Sequence, residues 1–298
     1  MSAHAATTNN FRHPPIERRD ISFELNEDIP RHWHGGDPFI TTFFNGLSIL
    51  FPEGEQFFID SVRHYRDQID DPRLLKDIRG FIGQEAMHSR EHLRYNELLD
   101  KQGYPANRLH EKLKGILAFV RRRTSPKQQL AATCALEHFT AILADVALRD
   151  RRVYAGVHPV FRDLWRWHAI EETEHKAVAY DVYQAMFPGF WGYLTRIRAM
   201  IRVTILFMWR ANSHHIALLR ADGQLWNLRG WSRVLHWFWV RPGMFRQVLP
   251  AYFAYYRPSY HPWDHDNRDL VEYWKKSLER KGYGTHHQDY ENEATAVA

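Results

Sequence analysis

The chain has 298 residues, of which 44% are hydrophobic and 25% charged, so it is long enough to bury one sizeable core. Its formal net charge of +5 is too mild to predict nucleic-acid binding, and it has neither a glycine-rich phosphate loop nor a zinc-finger cysteine spacing. The single cysteine, Cys134, excludes an intrachain disulfide and favours a reducing, cytoplasmic location.

The first segment is polar. Residues 1–36 are predicted to form an N-terminal tail, loose over residues 1–19, which contain His, Asn, Pro and charge but no apolar stretch like that of a signal peptide. The strongest apolar run, residues 203–209, is far shorter than the ~20 residues that a membrane-spanning helix needs. No transmembrane helix is therefore predicted.

The rest of the chain reads as all-α, because period-two strand patterns are scarce. Residues 51–54, which include Pro52 and Gly54, are predicted to end a first apolar segment before a helix over 55–69. Proline follows a capping residue at Asp71 and at Ser125, which predicts two further helix starts. The remaining predicted helices span 72–102, 111–122, 126–149 and the stretch from the turn at 154–159 to about 186.

The predicted four-helix bundle occupies residues 37–188, and an aromatic, basic, helical extension follows over 189–281. The extension mixes rings and cations, as Trp231, Trp237, Trp239 and Arg241 show, which suits a peripheral membrane contact, a homodimer contact or packing on the bundle. We favour packing. Residues 282–298 are polar and are predicted to be a disordered tail.

Two Glu-x-x-His pairs carry the chemistry. Glu85 and His88 lie on the second bundle helix, and Glu172 and His175 lie on the fourth, so each pair projects from one helix face. With 17 glutamates and 19 histidines, about one such pair is expected by chance, so the positions of the two pairs decide their meaning.

The number of residues between each glutamate and the nearest turn places the glutamates of paired helices at the same level along the helix axes. Glu55 stands 15 residues before Asp70 and Glu85 stands 15 after it, so both reach about 22 Å along an antiparallel pair. Glu137 and Glu172 are likewise equidistant from the turn at residues 154 and 155. The gap of 52 residues between Glu85 and Glu137, against 30 and 35 within the hairpins, is what one long crossover requires.

One Glu from each of two helices, with Glu-x-x-His from each of the other two, is the ligand set of ferritin-like dimetal carboxylate bundles. The sequence therefore predicts two metal ions, iron first and manganese or zinc as alternatives, since carboxylate with imidazole suits iron or manganese and structural zinc favours thiolate. Glu53 is a rival to Glu55, because Pro52 and Gly54 leave Glu55 in the first turn of its predicted helix.

Further histidines share these faces. His168 lies four residues before Glu172, and His92 lies four residues after His88. Each is an additional ligand, a hydrogen-bond partner of a ligand, or a core residue whose hydrogen bonds are satisfied. We expect His168 to be a ligand more readily than His92. Solvent, ion-pair or hydrogen-bond roles are expected for the flanking residues Glu91, His138, Glu171 and Glu174.

The segments with Gln84, Glu85, His88 and His92 and with His168, Glu172 and His175 resemble the bacterial family of predicted metal-dependent hydrolases, over roughly residues 15–280. The pattern is also similar to that of the diiron arylamine N-oxygenases. That resemblance implies a ferritin-like bundle with seven protein ligands, here Glu55, Glu85, His88, Glu137, His168, Glu172 and His175.

Three functions compete. The first is a diiron oxygenase or oxidase that acts on a small organic molecule and needs dioxygen and an electron donor. The second is a hydrolase that uses metal-bound hydroxide. The third is a non-enzymatic iron-binding or membrane-peripheral protein. No catalytic residue beyond the metal centre is predicted, and the expected location is cytoplasmic, with membrane-peripheral attachment as the alternative.

Overall fold

The computed structural model describes residues 13–283, and within that range the chain forms helices and no strand. The all-helical prediction is confirmed. The α-helices, in chain order, are α1 Pro38–Arg63, α2 Pro72–Lys101, α3 Ala106–Arg123, α4 Pro126–Arg149, α5 Pro159–His175, α6 Val178–Met186, α7 Phe190–Ala221, α8 Leu228–Trp239, α9 Met244–Ala254 and α10 Arg268–Glu279.

α1 is longer than predicted, because Pro52 lies inside it and does not end it. Proline cannot donate to the carbonyl four residues earlier, which here belongs to Ser48. The side chain of Asn96 on α2 donates to that carbonyl instead, at 3.2 Å. The lost hydrogen bond is thereby replaced, and Glu55 lies in the second half of a long helix and not in a first turn.

The caps predicted for α2 and α4 are present. The Asp71 side chain accepts a hydrogen bond from the backbone of Arg73, and Ser125 and Gln128 form a reciprocal capping box. The connecting helix α3 begins five residues earlier than predicted, at Ala106. The predicted fourth helix is broken after His175 into α5 and α6, where Lys176 turns its side chain to donate to the carbonyl of His265.

Two helix pairs build the bundle. α1 packs along α2, and α4 packs along α5, while α7 lies against both α1 and α4. α4 is long and apolar enough to cross a membrane by length and composition alone, yet 72% of its most apolar window is buried inside the protein. That burial is what a core helix shows.

The extension packs on the bundle through part of its aromatic set. The Phe238 ring of α8 lies 4.7 Å from Phe43 of α1, and Trp231 lies 5.2 Å from Phe39. Trp239 and the outer side of α7 are exposed. The expected packing therefore holds for one side of the extension and leaves the other side uncovered.

Residues 13–36 are not loose, which corrects the expectation for residues 13–19. Arg19, Ile21, Phe23 and Trp33 are buried, so this extended segment forms part of the core. It runs so close to α2 that a Cβ on Gly80 would lie 2.7 Å from the Ile16 side chain. The expected disorder of residues 282–298 falls almost wholly outside the described residues, as do residues 1–12.

Candidate metal centre

Four helices bring together the side chains that the spacing selects. α1 supplies Glu55, α2 supplies Glu85 and His88, α4 supplies Glu137, and α5 supplies His168, Glu172 and His175. None of the seven is more than 3% exposed. Glu53, the rival on α1, instead lies 3.5 Å from His110 and contributes nothing to the cluster.

The seven residues divide into two groups, each with ligand atoms within 4.8 Å of one another. The first group is Glu55, His88 and His168, and the second is Glu85, Glu137, Glu172 and His175. Each group offers carboxylate oxygen and imidazole nitrogen, the donor atoms that suit a transition-metal ion. The chain therefore contains two candidate metal sites side by side.

Glu172 lies between the groups. Its Oε1 atom is 2.9 Å from His168 Nε2 and 3.7 Å from His88 Nδ1, both in the first group. Its Oε2 atom is 3.5 Å from His175 Nε2 in the second. One carboxylate thus has an oxygen beside each group, which is the arrangement of a bridging ligand.

Many donor atoms of the cluster have no hydrogen-bond partner among the described residues. These buried atoms include Glu55 Oε1, both oxygens of Glu85 and Glu137, His168 Nε2 and His175 Nε2. Leaving one buried polar atom unpaired costs about 1–3 kcal/mol, and more for a charged group. So many orphaned atoms facing one another fit cations placed among them.

The electrostatics of the protein without metal point the same way. Burial, reinforced by the neighbouring carboxylates, raises the pKa of Glu55, Glu85 and Glu137 well above the usual range. Burial also acts to raise the pKa of Glu172, but His175 and His168 outweigh it and hold that pKa well below the usual range. Burial acts to lower the pKa of His175, yet Glu172 and Glu137 raise it to about 9. The cluster needs added positive charge to ionise fully.

Comparison with known protein families shows which family the chain belongs to. A family model described as predicted metal-dependent hydrolase matches residues 17–266. The chain belongs to this family. No curated protein and no solved structure matches the chain, so the ferritin-like description of the fold stays a prediction.

In this member of the predicted metal-dependent hydrolase family, a set of surrounding residues orients the ligands. Gln84 Oε1 lies 2.9 Å from His175 Nδ1, and the Gln84 amide donates to Glu174 Oε2 at 2.7 Å. Because the amide oxygen can only accept, His175 Nδ1 carries the proton and Nε2 is left free to bind metal. Gln84 thereby fixes the ligand form of His175.

A second relay fixes His168. Asn96 donates to the Ser48 carbonyl, so its Oδ1 atom accepts from the Ser48 hydroxyl at 2.9 Å. Ser48 Oγ, with its proton committed, accepts from His92 Nδ1 at 2.9 Å, and His92 Nε2 then accepts from His168 Nδ1 at 2.8 Å. His168 therefore presents its other ring nitrogen, Nε2, to Glu172 and to any metal bound there. His92 lies outside both groups and acts on His168.

The flanking acids are buried ion-pair partners and do not face solvent. Arg19 donates to Glu171 at 2.9 Å and to Glu174 at 2.7 Å, and Lys275 of α10 lies 3.2 Å from Glu174. Glu171 Oε2 also lies 3.0 Å from His88 Nε2, which leaves His88 Nδ1 directed towards Glu172. Arg19 thus supports a ligand through Glu171.

Sequence reasoning missed three of these supports: Arg19, Lys275 and Ser89, whose hydroxyl donates to Glu55 at 2.8 Å. No local pattern marks Arg19 or Lys275, since Arg19 meets α5 across 155 residues of sequence. Ser89 could have been found, because it stands four residues after Glu85 and so lies on the same face of α2. His138 is not part of the cluster. Its ring nitrogens lie within hydrogen-bond distance of the Ala251 carbonyl and the Tyr260 hydroxyl.

Proposed function

We propose that the two groups hold a pair of transition-metal ions, most consistent with iron, and that the protein is an oxygen-activating enzyme that oxidises a small organic substrate. The observation that supports this most is the position of Glu172, with one oxygen beside each group. A carboxylate so placed can bind two cations at once.

The ligand chemistry favours iron or manganese over a structural zinc site. All seven donors are carboxylates or imidazoles, and the only cysteine, Cys134, belongs to neither group and contacts the Ala179 carbonyl. Iron(II) held by these residues would supply oxygen activation, with an external electron donor returning the iron to its reduced state.

The protein residues prepare the centre for that chemistry. Gln84 and His92 hold His175 and His168 in the tautomers that present Nε2, and Glu171 directs His88. The burial of all seven ligands excludes bulk water, which protects reactive species from side reactions.

The runner-up is a metal-dependent hydrolase, which the description of the family favours. A bound divalent metal lowers the pKa of water and produces a nucleophile at neutral pH without a reductant. Turnover of a panel of esters and amides by the zinc-loaded protein, in the absence of oxygen and reductant, would support this reading over the first.

The deciding experiment measures metal content and oxygen reactivity together. Protein purified without added metal should contain about two transition-metal ions per chain. Iron(II) added without oxygen, followed by air, should give a transient absorption band, and the Glu137→Ala variant should lose it. Two irons with no oxygen uptake would overturn the oxygenase proposal. Retention of the iron(III) product as a mineral would favour iron storage.

A further inference from the structure

A narrow cavity of about 60 Å³ reaches the proposed metal centre from the side of α7. Glu172 and His168, both buried, form part of its lining, which is otherwise mainly apolar and includes Leu47, Phe51 and Leu143. A single water needs about 10–15 Å³ of such space, so the cavity admits a slender group of several heavy atoms.

A second apolar cavity continues outward from the first. The two share Leu47, Leu143 and Phe207, and the outer one is bounded by α7, α8 and α9. Met208 and Asn212 on its rim are exposed to solvent. The two cavities therefore follow one another from the surface to Glu172, with Leu143 and Phe207 where they meet.

A third cavity, of about 320 Å³, leads elsewhere. Its lining combines apolar side chains with Asp145, Lys176 and His265 and includes none of the seven candidate ligands. Because no candidate ligand borders it, this cavity is not the approach to the metals.

We propose that the substrate is a slender, largely apolar molecule, such as a compound with a linear hydrocarbon chain, which enters between α7 and α8 and reaches Glu172 past Leu143 and Phe207. This inference rests on the proposed enzymatic function. A polar substrate would lose its hydration against these walls without recovering hydrogen bonds, whereas each methylene group gains from leaving water.

The test uses the zinc-loaded protein and straight-chain primary alcohols of increasing length, titrated by calorimetry. Affinity should rise about fourfold per methylene group until the cavity is filled. The Leu143→Trp variant should weaken binding of the longer alcohols at least about tenfold while zinc content stays at the wild-type level. Leu249→Trp, on the exposed side of α9, is the matched control and should bind normally.

A second variant distinguishes a blocked cavity from a misfolded protein. Phe207→Ala widens the junction and should shift the preference towards longer or branched alcohols. Alcohols that bind equally well to the Leu143→Trp variant, or that fail to bind a fully loaded protein, would overturn the inference and leave the metal chemistry intact. Failure of the wild-type protein to load metal would instead overturn the proposed function.

A different observation concerns the outer face of the extension. Between residues 182 and 263 the sequence has ten arginines, no lysine and one acidic residue, Asp222. That aspartate is already paired, 2.7 Å from Arg31 Nε. Two of the ten arginines pair with acids outside this stretch, Arg233 with Asp37 and Arg257 with Asp264. Arg196 and Arg210 are buried. Arg198 and Arg202 on α7 are exposed and form no ion pair within the described residues, so positive charge remains on this face although the whole chain carries only +5.

The same face exposes large apolar side chains at helical spacing. Along α7, Ile201, Ile205, Trp209 and Ile216 form one exposed stripe, with Ile205 64% and Trp209 58% accessible. Trp226, just before α8, is 87% exposed. Exposed tryptophan and isoleucine beside arginine is the composition of segments that lie in a membrane interface.

We infer that this face, defined by the exposed stripe of α7 with Trp226 and the neighbouring arginines, docks on an anionic lipid surface. A second copy is the competing occupant, but a twofold contact would bring the exposed arginines of the two copies together. Anionic headgroups instead place negative charge opposite these arginines.

Sedimentation with vesicles tests this surface. The metal-loaded protein should bind vesicles of equimolar phosphatidylcholine and phosphatidylserine and release at high salt, and should bind pure phosphatidylcholine weakly. Ile205→Glu and Trp209→Glu should each weaken binding at least about tenfold. Phe119→Glu, on the exposed side of α3, is the matched control and should bind normally. Absence of vesicle binding, or a dimer that Trp209→Glu dissociates, would overturn the inference.

Discussion

The metal centre and the outer face of α7 invert the usual distribution of residues. Four glutamates and three histidines are buried between the helices, while isoleucine and tryptophan face solvent on α7. Buried charge and exposed hydrocarbon each cost free energy when left alone. The comparison teaches that each region is favourable only when something outside the chain covers it, which we propose to be cations inside and an anionic lipid surface outside.

The largest expected effect comes from the residue that joins the two groups. Glu172→Ala removes an oxygen from beside each group. The variant should therefore retain less than one metal ion per chain, measured by elemental analysis after dialysis against metal-free buffer. The alanine leaves His168 and His175 without their closest shared acid. Two metals per chain in this variant would show that the groups bind independently of Glu172.

A smaller loss is expected on α1. Glu55→Ala should lower metal content by about one ion per chain, because Glu55 belongs to the first group alone. Glu53→Ala is the matched control, since Glu53 lies two residues away and pairs with His110. Equal metal loss in both variants would mean that the effect arises from damage to α1 and not from a ligand.

Protons and metal ions should compete for the buried carboxylates of the metal centre, which the exposed face of α7 lacks. The raised pKa values of Glu55, Glu85 and Glu137 mean that these groups hold protons which a metal must displace. We expect more than one proton released per chain on zinc binding near pH 7, measured by calorimetry in buffers of different ionisation enthalpy, and weaker binding as pH falls.

For the metal-free protein, the free energy of unfolding changes with pH in the opposite direction to metal affinity. The folded metal-free chain binds these protons more tightly than the unfolded chain, so their contribution to the free energy of unfolding falls as pH rises above ~4.5. Bound metal should remove that fall. Metal affinity independent of pH would contradict the assignment of protonated carboxyls to the site.

The smallest expected effect is on the outer face. Ile205→Ser should change the free energy of unfolding in detergent-free buffer by no more than ~0.5 kcal/mol, because the side chain is largely exposed. Phe81→Ala, which removes a fully buried ring beside His175, should cost ~3–5 kcal/mol by chemical denaturation. A large loss at Ile205 would show that another surface covers it in solution.

The ligand cluster could be anticipated because its residues repeat at short, regular intervals along helices and at equal distances from turns. Glu85 and Glu172 each stand three residues before a histidine, and helix periodicity alone brings such pairs to one face. The all-helical class followed from the same periodicity. These features depend on local geometry, which sequence encodes directly.

The errors arose where a distant residue changes a local rule. Pro52 continues α1 because Asn96 of α2 satisfies the carbonyl that proline leaves free. Arg19 is buried because Glu171 and Glu174 receive it, far along the chain. Neither partner can be recognised from the residues around Pro52 or Arg19, so a proline was taken as a helix end and a buried segment as a tail.

Arg19 and Lys275 place opposite ends of the described chain on one side chain, Glu174, next to His175. During synthesis the first of these is made early and the second close to the last, so the centre acquires its full set of supports only after residue 275 has left the ribosome. A chain truncated before Lys275 would keep all seven candidate ligands and Arg19 but would leave Glu174 with one cation fewer.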